Sequence, residues 1–194
     1  MKKLISKDLI NIGLFSLLLI LAISVGFSIT FTPLIQFLRM PVSAFLGAPI
    51  FLLFVSKTQK PFAVIIMGII CSVIVGYLMF GNIIYALVCF SCFIIAEIVL
   101  YIGKYKSLKV NEIAYAFCSL WPFGAYGIWW YDTENCIELS LSGSYSQEFV
   151  DGILELITPT SCVLVILSTF VGAILGIFFT RRLFKKHFKR AGLI

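Results

Sequence analysis

The chain has 194 residues, 61% of them hydrophobic and 12% charged, with a formal net charge of +6 and a mean hydropathy of +1.07. So little polar surface cannot cover a soluble globule, which leaves an integral membrane protein. The positive charge does not point to nucleic acid: the basic residues sit in breaks between apolar runs, where they read as topology signals and as contacts for anionic headgroups.

Six runs meet or approach the roughly 20 apolar residues needed to cross a hydrocarbon core about 30 Å thick: 9–31, 34–55, 62–80, 83–102, 113–131 and 160–180. The first follows Lys2, Lys3 and Lys7. Met-Lys-Lys before an apolar run resembles a secretion signal, but Asp8 interrupts the charged segment and the run is too long, so a retained span is expected. Gly13 and Ser16, then Ala22 and Gly26, provide small-residue patches. Such patches let helices approach closely in lipid, which makes these four residues candidates for docking a partner as well as for internal packing.

Pro33, Arg39 and Pro41 interrupt the early part of the second run. The clean stretch 42–55 would be only about 21 Å long as a helix and cannot cross alone. Either Pro41 kinks a longer helix, or residues 32–41 form an irregular stretch at outer-leaflet depth. Interrupted spans are where transporters often place their sites. Arg39 can snorkel to headgroups or neutralise a carboxylate or phosphate in a pocket.

Lys57 and Lys60 occupy the next break, and Asn82, after Gly81, occupies the one beyond the third run. Asn82 can cap the following helix or contact a ligand. Glu97 is the only acid within a run, and pairing with a neighbouring helix or with headgroup lysines suits it better than proton relay. Lys104, Lys106 and Lys109 precede the fifth run, which carries Trp121-Pro122, Tyr126, Trp129, Trp130 and Tyr131. An interfacial aromatic belt accounts for the last three. Trp121, deeper and beside a proline, and Tyr126 are the better candidates to stack on a flat ligand.

The loop 132–157 holds Asp132, Glu134, Glu138, Glu148, Asp151 and Glu155, with no Lys or Arg. Ser144 followed by Gln147 reads as a capping pattern, and Phe149, Val150, Ile153, Leu154 and Ile157 then recur at helical spacing. A short amphipathic helix is expected over the outer face, as a lid or as a plain interfacial connector. In the sixth run Gly172 and Gly176 form a small-xxx-small pair. Arg181, Arg182, Lys185, Lys186, Lys189 and Arg190 crowd the closing segment 181–194. Because short positive loops stay cytoplasmic, the alternation predicts one all-α membrane domain over 1–194 with six transmembrane helices and both termini cytoplasmic.

Several chemistries have no residues to carry them. His187, in the basic tail, is the single histidine, so neither a Ser-His-Asp arrangement nor a multi-histidine metal site can form in the spans. No GxxxxGK[ST] loop occurs, so the chain cannot hydrolyse ATP itself. Cys71, Cys89, Cys92, Cys118 and Cys162 lie in apolar runs and Cys136 in the acidic loop. The Cys89-Phe-Ser-Cys92 spacing lacks a nearby cation to activate a thiol, and packing is the expected role. No catalytic residue, metal or cofactor is implied; a binding device is.

Several strings taken together, Lys7-Asp-Leu-Ile-Asn-Ile-Gly13, Gly47-Ala-Pro-Ile-Phe-Leu-Leu-Phe54, Met67-Gly-Ile-Ile70, Gly103-Lys-Tyr-Lys-Ser107, Ser119-Leu-Trp-Pro-Phe-Gly124, Thr169-Phe-Val-Gly172, Lys185-Lys-His-Phe188 and Ala191-Gly192, resemble the Trep_Strep family. Its members are also called MptD-family substrate-binding (S) components of energy-coupling factor (ECF) transporters. The resemblance covers essentially the whole chain and implies a six-helix S-component-like bundle in the plasma membrane. Such a protein captures a micronutrient, a vitamin or related small molecule, at the outer face. It then works with a transmembrane coupling protein and two cytoplasmic ATPases, and is not itself an enzyme. The aromatic-rich outer half would also suit a tetrapyrrole or metal chelate. The AxxxA pattern by which S components commonly dock is absent from the first span, which leaves Gly13 and Ser16 as the nearest small surface. A stand-alone permease or channel, or a small enzyme acting on lipid, are the competing readings.

Overall fold

The computed structural model describes residues 4–28, 32–143 and 145–185, with the side chains of Leu34, Ala125 and Tyr126 outside the description. Its helices are α1 (Ser6–Ser28), α2 (Pro33–Gln36), α3 (Arg39–Thr58), α4 (Ala63–Cys71, continued by a π-helical stretch Ser72–Met79), α5 (Ile83–Ile102), α6 (Leu108–Cys118), α7 (Phe123–Tyr131), α8 (Thr133–Ser142), α9 (Gln147–Leu156) and α10 (Pro159–Leu183). Four of them, α1, α3, α5 and α10, are long and apolar enough to cross a membrane. No strand occurs among the described residues.

The prolines explain where helices and predicted runs part company. Pro41 is the third residue of α3, in the first turn where a missing N–H costs no intrahelical bond. It therefore does not kink a longer helix; α2 and a turn fill the stretch before Arg39. The fifth run is not one continuous helix. It is α6, beginning earlier than expected behind the Ser107 cap, then a break at residues 119–122, then α7. The residue before a proline is pushed away from helical geometry and Pro122 lacks a donor, so the helix cannot run through Trp121-Pro122. The acidic loop likewise holds two helices, α8 and α9, in place of one. Ser146 caps α9 by accepting from Phe149 N at 3.2 Å; Ser144 lies outside the described residues.

Close approaches set the register. Gly172 and Gly176 place α10 directly on α3: a Cβ on Gly172 would stand 2.2 Å from Pro41 O, and one on Gly176 2.6 Å from Phe45 O. Pro49 cannot donate to Phe45 O, so that carbonyl is the natural face for a glycine to cover. Alanine at Gly172 meets backbone that cannot rotate away. Gly172→Ala is expected to lose about 1–3 kcal/mol through forced helix separation, read as a lower melting temperature in detergent, whereas Gly13→Ala, with nothing within 4 Å of its Cβ position, leaves melting unchanged.

The antiparallel partner of α5 is the pair α6 and α7. Val110 packs on Gly103, Phe93 faces Trp121 with ring centroids 5.8 Å apart, and Gly124 lies against Tyr85. On another side Gly68 and Gly76 bring α4 and its π-helical stretch onto Phe93 and Ala86. The core between these helices holds Phe51, Phe54, Met67 and Phe93, all fully buried, with Tyr115 beside them. Tyr115 donates to Ala44 O and so ties α6 to α3.

The bundle has chemically distinct ends. At the basic end Lys60 bridges to Asp8 at 2.5 Å and Arg181 to Glu112. There Glu97 also accepts from Phe62 N and Val64 N, capping α4. The opposite, acidic end carries Arg39, Asn82, α8 and α9.

Candidate functional site

At the acidic end a chamber of about 350 Å³ opens between seven elements. Phe27 comes from α1, Gln36 from α2, Arg39 from the start of α3, and Phe80, Asn82 and Tyr85 from the turn into α5. Ile128 and Trp129 come from α7. Cys136, Leu139 and Ser140 of α8, with Tyr145 and with Phe149 and Ile153 of α9, close it from the loop side. Its position follows from the broken spans, since α2 ends just short of α3 and the break at residues 119–122 lets α7 lean over α5.

One wall is a run of aromatic contacts. The Arg39 guanidinium carbon lies 5.2 Å from the Phe27 ring centroid, within cation–π range. Phe27 meets Phe80 at 6.0 Å and Phe80 meets Tyr85 edge-on at 5.3 Å. Opposite, Tyr145 stacks on Phe149 at 4.7 Å. Arg39 is 9% exposed and Gln36 5%, while Tyr85 is fully buried. Among the described residues neither Gln36 Oε1 nor the Tyr85 hydroxyl has a hydrogen-bond partner. Buried polar atoms are nearly always paired, but Ser43, Thr58, Ser72 and Asn111, outside the chamber, carry unpartnered buried atoms as well, so this feature does not by itself mark a ligand surface.

The structure brings Arg39, Asn82 and Trp129 together in this lining. Asn82 also caps α5, its Oδ1 accepting from Tyr85 N at 2.9 Å. Trp121 and Trp130 are elsewhere. Trp121 belongs to the main core; Trp130 stacks on Phe123 and donates its indole N–H to Thr158 O at 3.0 Å, pinning α7 to the start of α10. The Tyr126 side chain lies outside the described residues. Of the small residues in α1, Ser16 is fully buried and donates to Ile12 O, and Gly26 packs against Ser43 of α3, so both serve internal packing. Gly13 and Ala22 are half-buried.

Gln36, Tyr85, Phe27 and Cys136 were not foreseen as lining. Gln36 had a signal, being the polar side chain of the irregular stretch 32–41. The Cys136 thiol is pushed up to about 12 by burial and then by Asp132, so it is a neutral packing group at physiological pH rather than a nucleophile. No group of three or more His, Cys, Asp or Glu side chains comes together among the described residues. What the chamber offers is one guanidinium, amides, hydroxyls and ring faces, which is equipment for binding.

A second cleft, about 960 Å³, lies at the basic end between the two turns that carry Lys57, Lys60, Lys104 and Lys106. It is a wide furrow rimmed by mobile-stemmed ammonium groups, suited to a surface contact more than to holding a small molecule.

A family model described as a hypothetical bacterial integral membrane protein, Trep_Strep, matches residues 6–190. Neither the curated proteins nor the solved structures give a match.

Proposed function

The chain belongs to the Trep_Strep family of bacterial integral membrane proteins, and on that footing we propose that it is the substrate-capturing S component of an ECF-type importer. It binds a micronutrient at the outer face and delivers it inward with ATP-driven partners. The observation that carries this reading is a chamber confined to one end of the bundle above a tightly packed core. Such a shape holds a solute without offering it a path, so passage requires something outside the chain to move it. A stand-alone channel would need a polar route, and the layer of Phe51, Met67, Phe93 and Tyr115 beneath the chamber supplies none.

In this reading the membrane is crossed six times, by α1, α3, α4 with its π-helical stretch, α5, α6 with α7 as one broken crossing, and α10. Both termini and the lysine turns are cytoplasmic in the plasma membrane, and α8 and α9 lie outside as a cover over the chamber. The broken crossing is supported by the way α6 and α7 follow α5 from Gly103 to Tyr85. Backbone freed at such a break is tolerated where protein buries it. The coupling protein and two ATPases would meet the basic end, with the half-buried Gly13 surface of α1 available beside it.

The test is co-purification in mild detergent followed by transport. The chain is expected to carry an ATPase module with it, and accumulation of its solute in proteoliposomes should require that module and ATP. Uptake by the single chain without ATPases would overturn the proposal.

A further inference from the structure

We infer that a groove between α3, α6 and α10 at the basic end seats one anionic phospholipid, its phosphate held by Lys109 and Lys185 and an acyl chain lying in the groove and along the flank of α6 and α10. The inference needs only a chain embedded in a bilayer and is independent of the importer reading.

The groove has a volume of about 540 Å³, and its apolar lining includes Leu52, Leu108 and Phe184. Lys109, Arg181 and Lys185 line it together with a single carboxylate, Glu112. Arg181 donates from Nε and Nη2 to Glu112, so this pair cancels in charge while tying α6 to α10. Lys109 and Lys185 are both exposed, and neither has an ion-pair partner among the described residues. The groove therefore keeps two positive charges beside apolar surface. Basic pockets between membrane helices near headgroup level recognise anionic lipid heads through this combination, and a lysine meets a phosphate as a point charge.

An acyl chain needs an apolar continuation, and both helices supply one. Lys109, Ile113 and Phe117 recur at four-residue spacing and so share a face of α6; Ile113 and Phe117 are exposed. On α10 the exposed Ile174 and Phe178 precede Arg181 on one face in the same way. Since α6 begins and α10 ends at the basic end, both tracks run from the cations toward the middle of the bundle. Phe117 meets Phe170 edge-on at 6.4 Å, so the two helices touch again further along. Charge selects among the occupants. The chain's own closing segment 186–194 brings Lys186, Lys189 and Arg190 and no Asp or Glu, and like charge is repelled. A zwitterionic lipid brings a cation of its own to the same lysines, whereas an anionic one brings only the phosphate charge they lack.

The experiment uses the purified full chain in a neutral detergent, stripped of lipid and then offered phosphatidylglycerol and phosphatidylcholine of the same acyl chains in equal amounts. Native mass spectrometry is expected to show phosphatidylglycerol retained in preference by about fivefold or more. Lys109→Gln with Lys185→Gln should bring the two lipids near equality, while the charge-matched pair Lys104→Gln with Lys106→Gln should keep most of the preference. Glycerol 3-phosphate at millimolar concentration should not displace the lipid, and phosphatidylglycerol with a photoreactive acyl chain should label peptides within 108–117 and 174–185. Equal retention of both lipids by the unaltered chain overturns the inference. So does an equal loss in the two double variants, which would mean diffuse charge, or displacement by glycerol 3-phosphate, which would mean a site for soluble phosphate. Labelling only outside these peptides overturns it as well and leaves the groove to a protein partner. Because the lipids are compared first on the unaltered chain, a variant that fails to fold does not remove the test.

Discussion

Glu97→Ala is expected to cost several kcal/mol, at about 1–3 kcal/mol for each buried donor left without an acceptor. Glu97 is 5% exposed. Its Oε1 accepts from Phe62 N at 2.7 Å and from the Tyr105 hydroxyl at 2.6 Å, and its Oε2 accepts from Val64 N at 3.1 Å. Two of these partners belong to strained turns: Phe62 has φ +66° and Tyr105 φ +59°, a left-handed conformation that costs a non-glycine residue about 1–2 kcal/mol. A single carboxylate therefore holds both turns of the basic end in place. It also meets the amide end of α4, where negative charge is favoured. Burial, and then the hydrogen bond to Glu97, push the Tyr105 phenol above its ordinary range, so it remains a donor at neutral pH. Alanine would leave two N–H groups and a phenol without acceptors and release both turns. Thermal unfolding in detergent measures the loss, and limited proteolysis should open new cuts near residues 57–62 and 103–107. Glu97→Gln, which keeps acceptor capacity but loses charge and one lone-pair partner, should fall between. An unchanged melting temperature in the alanine variant would show that the carboxylate holds nothing.

Much of this architecture is legible in the residues because a bilayer imposes its length scale on them. The apolar runs locate α1, α5 and α10, and Gly172 with Gly176 announces a close helix contact, whose partner proves to be α3. Glu97 also reads in advance as a group paired to a neighbouring helix, although its partners prove to be chiefly backbone N–H groups rather than lysines. What was harder to read depends on rotation and distance. Trp121, beside Pro122, looked like a ligand-stacking residue, when the stronger implication of that proline is the break between α6 and α7. Tyr85 resembles any interfacial tyrosine; that it is fully buried beside the chamber depends on the rotation of α5, against which Gly124 packs. The lining residues of α8 could not be foreseen, since the apolar pattern predicts one helix in that loop and the chamber is completed by two.

The contrast between the two tryptophans of the fifth run separates stability from capture. Trp121→Ala is expected to destabilise by about 3–5 kcal/mol, the usual cost of emptying a large aromatic site in a core. Its ring is 5% exposed and packs on the fully buried Phe93 where α6 gives way to α7. The helices on either side are held at fixed spacing by Gly68 and Gly124, so they cannot collapse into the space left behind. Trp129 is buried to a similar degree, but its neighbours are the small cluster of Ile128, Cys136 and Ile153 that borders the chamber. Trp129→Ala should therefore lose most of its effect in ligand binding, with a smaller loss of resting stability. Melting of both variants with and without the captured solute distinguishes the cases. Trp121→Ala should melt far lower with the ligand-induced increment retained, and Trp129→Ala should melt near the parent with that increment reduced. The reverse pattern, a stable Trp121→Ala that no longer responds to ligand, would extend the binding chamber into the bundle core and remove the packed layer on which the importer reading depends.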